Sequence, residues 1–201
     1  MAYFITGTDT NVGKTLVSSW LCLHSGFDYF KPIQSGTTEG YDSHTVRQFS
    51  GALAYPEIYS LKAPLSPHLA AQLENKTINI EDIRLPSTSK LIVEGAGGVL
   101  VPLNDQYLMI DLMVRLNLPV IIVSRTTLGT INHTLLTIQA LRQRNLVIAG
   151  IIMSGNDNPD NLQAIEDYGQ APVLATLPQL KEITSEALKS VPLPAKLKNL
   201  F

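Results

Sequence analysis

Ile5-Thr6-Gly7-Thr8-Asp9-Thr10-Asn11-Val12-Gly13-Lys14-Thr15 is the stretch on which the reading of the fold turns. It follows the apolar run Ala2 to Ile5 and opens Lys14 to His24, where Leu16, Val17, Trp20, Leu21 and Leu23 recur at helical spacing. A strand passing through a Gly-containing loop into a helix is the setting of a phosphate-binding loop. Gly13 lets the backbone approach a phosphate, and successive N–H groups at the helix N-terminus point at the anion. Lys14 adds charge at the β and γ oxygens, and Thr15 can place its hydroxyl on Mg²⁺. The nucleotide-binding residues expected from this stretch are therefore Thr10, Asn11, Val12, Gly13, Lys14, Thr15 and Leu16. The strict spacing G-x-x-x-x-G-K-[ST] is missed by one residue, because its first glycine falls at Thr8 while Gly7 sits one place earlier. The plainer alternative is an ordinary strand-to-helix turn carrying a surface lysine.

Outward from the loop, apolar runs of strand length recur at Tyr29 to Phe30, Lys90 to Val93, Pro119 to Val123, Val147 to Ile152 and Val173 to Leu177. They lack the alternation of a strand wetted on one face, so they read as strands buried on both, as in a parallel sheet between helices. Helix-period stretches at Tyr107 to Leu116, Ile131 to Leu141 and Leu180 to Leu188 lie between and after them. The expected class is α/β, with residues 1–201 as one three-layer domain and the Pro-bearing tail after Val191 a loosely docked terminus. The 45% hydrophobic and 16% charged composition is that of a folding chain, and the net charge of −2 offers no footprint for nucleic acid or an anionic membrane. A single cysteine, Cys22, excludes an internal disulfide and Cys-rich zinc sites and fits a reducing, cytoplasmic setting. Neither a membrane span nor a signal peptide is expected, since the apolar runs are short and no basic segment precedes the first of them.

A phosphate loop needs a carboxylate to hold its metal, normally at the end of another strand. Leu91-Ile92-Val93-Glu94-Gly95-Ala96-Gly97-Gly98 supplies Glu94 where an apolar strand meets a glycine-rich turn; the alternative is a solvated strand end. Asp42, just before a helix beginning near Ser43, is either a helix N-cap or a second metal ligand. In Phe30-Lys31-Pro32-Ile33-Gln34-Ser35-Gly36, Pro32 keeps Lys31 in extended backbone, from which its side chain reaches the phosphates or is simply solvated.

Taken together, Gly-Thr-Asp-Thr-x-Val-Gly-Lys-Thr at 7–15, Lys-Pro-x-x-Ser-Gly at 31–36, Ser-Pro-His at 66–68, Val-Glu-Gly-Ala-Gly-Gly at 93–98 and Leu-Gly-x-Ile-Asn-His at 128–133 resemble the dethiobiotin synthetase family of the P-loop NTPase superfamily. The blocks follow the family's order and cover the chain up to about Leu180, and the relaxed loop spacing is the family's own. The resemblance implies ATP- and CO₂-dependent closure of a ureido ring on 7,8-diaminononanoate, with Mg²⁺, giving dethiobiotin, ADP and phosphate. A substrate amine takes up CO₂ as a carbamate, the carbamate attacks the γ-phosphate, and the neighbouring amine closes the ring and expels phosphate. Both groups that meet are anionic, so two lysines and a metal are needed to offset their repulsion.

By the same resemblance Lys31 and Lys14 are catalytic, while Thr15, Asp42 and Glu94 surround Mg²⁺ and Gly95, Ala96 and Gly97 border the nucleotide. Thr8 and Ser35 contact substrate, and so do Gly129, Thr130 and Asn132, the last three coming from the neighbouring subunit of a homodimer. Where the family has an Asn for the adenine edge, this chain has Ser154; the base pocket is expected to use Ser154, Gly155, Asn156, Leu177, Pro178 and Gln179. A family tyrosine after this strand is also missing, Asn161 falling near its place. The competing class is a P-loop ATPase switch of the partitioning or nitrogenase-reductase type, which carries an extra lysine early in the loop where this chain has Asp9 and its neighbours. A GTPase is excluded by the lack of Asn-Lys-x-Asp.

Overall fold

The computed structural model describes residues 1–201. In chain order the elements are β1 (Ala2–Gly7), α1 (Lys14–Ser25), β2 (Asp28–Phe30), β3 (Ile33–Ser35), α2 (Asp42–Ser50), β4 (Ala54–Tyr55), β5 (Tyr59–Leu61) and α3 (Pro67–Leu73). They continue with β6 (Leu91–Gly98), α4 (Met109–Leu116), β7 (Val120–Arg125), α5 (Thr130–Gln143), β8 (Ile148–Ser154), α6 (Pro159–Gly169), β9 (Val173–Leu177), α7 (Ser185–Lys189) and α8 (Ala195–Lys198). Seven strands form one sheet in the order β4-β2-β6-β1-β7-β8-β9, and every neighbouring pair is parallel. A parallel sheet must be covered on both faces, and successive residues accordingly alternate between two cores. Phe4, Val93 and Ile122 join one; Ile5, Ile92 and Val123 join the other.

The phosphate-loop strand β1 is central, paired with Leu91–Glu94 of β6 on one side and Val120–Val123 of β7 on the other. The chain builds outward from β1 on the β6 side and then crosses to the β7 side, so the C-terminal ends of β1, β6 and β7 lie at the point where ligands bind open α/β sheets. A separate two-stranded sheet, β3 with β5, carries Ser35 beside this edge. No helix is long and apolar enough to cross a membrane.

Several boundaries differ from the sequence expectation, each for a local reason. The run at Leu91 continues as strand through Gly98, because the ladder to β1 resumes past an irregularity between Ile5 and Gly7 with Gly7 opposite Gly98. The helix expected over Leu180 to Leu188 begins only at Ser185, where the Thr184 side chain accepts from Ala187 N–H at 3.1 Å and sets the start. The tail after Val191 is docked rather than loose. Trp20 Nε1 donates to Val191 O at 2.7 Å, Tyr3 Oη donates to Leu200 O at 2.5 Å, and Phe201 meets the rings of Tyr3 and Phe27 edge-on at 5.4 and 5.0 Å. Leu197 within it is wholly buried. Apolar tail residues thus close one core beneath α1. Leu197→Ala is expected to lower stability by about 2–5 kcal/mol, read as an earlier midpoint in urea with an unchanged slope; a midpoint equal to wild type would make the docking energetically idle.

Candidate active site

The loop between β1 and α1 is held tightly. A Cβ at Gly7 would stand 2.6 Å from Asp9 O and 2.9 Å from both Lys14 Nζ and Val12 Cγ2, so the glycine one place early in the motif is required by the loop's own fold. Lys14, 7% exposed, folds back over the loop to donate to Asp9 O at 3.0 Å. Arg125, at the end of β7, donates to Thr10 O at 2.9 Å and steadies the apex from outside. Gly13, with φ 96°, precedes α1 without any side-chain cap, so the first-turn N–H groups of that helix are free for an anion. Thr10 and Asn11 are exposed on the rim, whereas Val12 is buried beneath it and Leu16 lies half-buried on the helix flank.

Beside the loop, four sequence-predicted residues meet. Lys31 leaves the end of β2 only 4% exposed, and its Nζ contacts Asp42 Oδ2 at 2.5 Å and Glu94 Oε1 at 3.0 Å. Glu94, wholly buried, also accepts from Thr15 Oγ1 at 3.1 Å and from Ser18 Oγ at 2.7 Å. Neither the solvated lysine nor the solvated strand-end carboxylate survives this arrangement. The N-cap alternative for Asp42 fails as well: Tyr41 occupies the cap position, and Asp42 is the first helical residue, its carboxylate turned to Lys31. Ser18 escaped the sequence reading, although its place one turn beyond Thr15 on α1 puts it on the face that looks at Glu94.

The pKa values of the two lysines are shifted in opposite directions. Burial is the largest influence on both and favours the neutral amine. For Lys14 it prevails over the attraction of Glu94 and lowers the pKa to about 8, with Lys31 adding repulsion. For Lys31 the nearby Glu94 and Asp42 carboxylates outweigh it and hold the pKa above the ordinary lysine value.

Other predicted residues fall into separate parts of the same edge. Ser154 pairs with Leu177 across β8 and β9, and Gly155 N–H donates to Leu177 O at 3.0 Å, which groups Ser154, Gly155, Asn156, Leu177, Pro178 and Gln179 at one rim. Leu177 is wholly buried and offers only backbone, whereas Asn156, Pro178 and Gln179 are exposed. Ser154 Oγ lies 2.7 Å from where a Gly13 Cβ would be, so this rim abuts the phosphate loop. Asn161 is committed elsewhere, its Nδ2 donating to Thr126 O at 3.0 Å. A Cβ at Gly95 would meet Phe4 Cε1 at 2.9 Å, so that glycine serves core packing, while Ala96 and Gly97 remain half-exposed near the loop. Ser35 Oγ is buried without a hydrogen-bond partner. Gly129 caps α5 in the left-handed region and Asn132 is exposed in its first turn; the Thr130 hydroxyl is used internally, donating to Arg125 O at 2.6 Å. Thr8, Thr10, Val101, His133 and Leu136 line a groove that joins the loop to α5.

A parallel sheet whose central strand ends in a phosphate loop, with a buried carboxylate on the adjacent strand facing the loop's threonine, defines a P-loop nucleoside triphosphate enzyme. A family model described as AAA domain matches residues 1–187. Over its full length the chain is 53% identical to the ATP-dependent dethiobiotin synthetase BioD of Lawsonia intracellularis, covering 99% of that protein. It is 49% identical to the BioD of Paramagnetospirillum magneticum, over 95% of this chain and 94% of that one. The chain belongs to the ATP-dependent dethiobiotin synthetase family. A solved ParA family ATPase from Chlorobium tepidum, 13% identical with a TM-score of 0.51 over 94% of this chain and 89% of that chain, shares the fold alone. The switch-ATPase reading is accordingly set aside.

Because Lys14 titrates near 8, a phosphate beside it restores the charged form, and nucleotide binding takes up a proton wherever the free lysine is neutral. ATP affinity is expected to be level below about pH 8 and to fall above it by up to about tenfold per pH unit, with proton uptake visible by calorimetry in two buffers of different ionisation enthalpy. Lys14→Met should bind weakly with no such uptake; an identical uptake in that variant would assign it to another group.

Proposed function

We propose that the chain catalyses ATP-dependent carboxylation and ring closure of 7,8-diaminononanoate with CO₂, yielding dethiobiotin, ADP and phosphate in the cytoplasm, a C–N-forming cyclo-ligase step of biotin synthesis. The observation that carries this reading is Lys31, a buried cation at the phosphate edge held charged between Asp42 and Glu94. A lysine so placed meets the negative charge shared by a carbamate oxygen and the γ-phosphoryl group it attacks, a demand that nucleotide binding alone does not make. Lys14 and the free N–H groups of α1 hold the phosphates, and the rim at Ser154 to Asn156 with Leu177 to Gln179 receives the base. The unpartnered Ser35 hydroxyl, on the neighbouring small sheet, is free to bond a substrate amine or carbamate.

The hydroxyl of Thr15 and the carboxylates of Glu94 and Asp42 gather at this point, and such hard oxygen donors, with phosphate oxygens completing the shell, fit Mg²⁺. Held by these residues, Mg²⁺ would supply positive charge against the phosphates and help to orient the γ-phosphoryl group. Ser18 keeps Glu94 turned to that side by occupying its second oxygen.

The substrate's distal carboxylate requires an anion site, and the start of α5 offers one to a neighbouring subunit: Leu100, Leu128 and Leu136 stand exposed around it, a covering that a second copy would bury. In the shared arrangement Lys31→Ala and Asn132→Asp are each nearly inactive, the latter by setting like charge against the substrate tail. Mixed after subunit exchange, half of the dimers carry one intact and one doubly damaged site, and about a quarter of wild-type activity returns. No recovery after confirmed exchange would place both residues in one subunit's site.

The reaction itself is tested by phosphate release. It should require diaminononanoate and bicarbonate together; release from ATP with neither present would assign the chain to the switch ATPases instead.

A further inference from the structure

We propose that Gln34 is a positioning residue of this site, holding Asp42 against Lys31 by doing from a distance what the helix cap of α2 does not. The inference rests on the reading of Asp42 and Lys31 given above. Helix α2 starts behind Tyr41, whose side chain makes no capping hydrogen bond, so its leading N–H groups need acceptors from elsewhere. Gln34 reaches across from β3: its Oε1 accepts from Asp42 N–H at 3.2 Å, while its Nε2 donates to Ser35 O at 2.7 Å. The two partners determine the amide's orientation, since an N–H only donates and a carbonyl only accepts; a flipped amide would set like against like at both ends.

The consequence is geometric. Gln34 is 7% exposed and sits in β3 opposite Ser60, three residues beyond Lys31 along the chain. The Asp42 side chain, by contrast, is 29% exposed and belongs to a helix end, where fraying is ordinary. Tying the Asp42 amide to Gln34 refers both members of the Lys31–Asp42 pair to one piece of backbone. It simultaneously anchors the carbonyl of Ser35, the residue whose hydroxyl awaits a substrate. Gln34 meets Asp42 and Ser35 only through their backbone atoms, so it acts through them.

Gln34→Met keeps length and apolar bulk while deleting both hydrogen bonds. In the protein without nucleotide, the Asp42 amide hydrogen should exchange about tenfold faster by NMR. kcat should fall about tenfold, and the same substitution made in an Asp42→Ala background should lower kcat no further, the signature of action through that residue. Should Gln34→Met fold poorly, adding Tyr41→Asp supplies a local cap; the double variant should recover its melting temperature but not its kcat. Unchanged Asp42 exchange, equal kcat losses in both backgrounds, or recovery of kcat with the local cap would each overturn the proposal. Full activity of Asp42→Ala alone would instead overturn the reading of the site, while the amide exchange still reports on Gln34.

Discussion

A charged lysine with 4% of its surface exposed is tolerated only when its charge is answered at close range, and much of this architecture serves that answer. Lys31 comes from the end of β2, Glu94 from β6 and Asp42 from the first turn of α2. Bringing these together requires β2 and β6 to be neighbours in parallel register and α2 to begin at one particular residue. Glu94 in turn takes hydrogen bonds from Thr15 and Ser18 on α1, so the helix that ends the phosphate loop is tied to the same point. Removing Lys31 would leave the wholly buried Glu94 carboxylate without its cation, so these residues are coupled in folding.

The two lysines illustrate how neighbouring positions acquire different roles through their surroundings. Lys14 has a backbone carbonyl for its closest partner, so burial prevails and lowers its pKa to about 8. Lys31 has two carboxylates and keeps its charge throughout. The loop that carries Lys14 is held by its own contacts, with Gly7 allowing its return, Lys14 crossing it and Arg125 clasping its apex.

Much of this was legible in order along the chain. The phosphate loop, the six principal strands, the identities of Lys31 and Glu94 and the family itself all stand in contiguous residues, because a strand buried on both faces and a loop that cradles phosphate each impose a local pattern. Helix α6 was missed although Asn158 and Pro159 mark its start, Asn158 accepting from Asn161 N–H at 3.0 Å; its mostly polar composition, with only Ile165 and Gly169 buried, masked the signal. The small β3–β5 sheet was missed because Ile33–Ser35 and Tyr59–Leu61 are short and mix polar with apolar side chains.

By itself the sequence determined the class of fold, the phosphate loop and the chemical types present at the site, since these depend on residues a few positions apart. Only the tertiary structure decided that Asp42 faces Lys31 instead of capping its helix, that Gln34 accepts from the Asp42 amide and Ser18 donates to Glu94, that Gly95 serves the core and that the tail is docked. Each of those outcomes depends on which strands become neighbours and on where a helix begins. They are settled when burial and hydrogen-bond demands are met across segments distant in the chain, where no local pattern records the result.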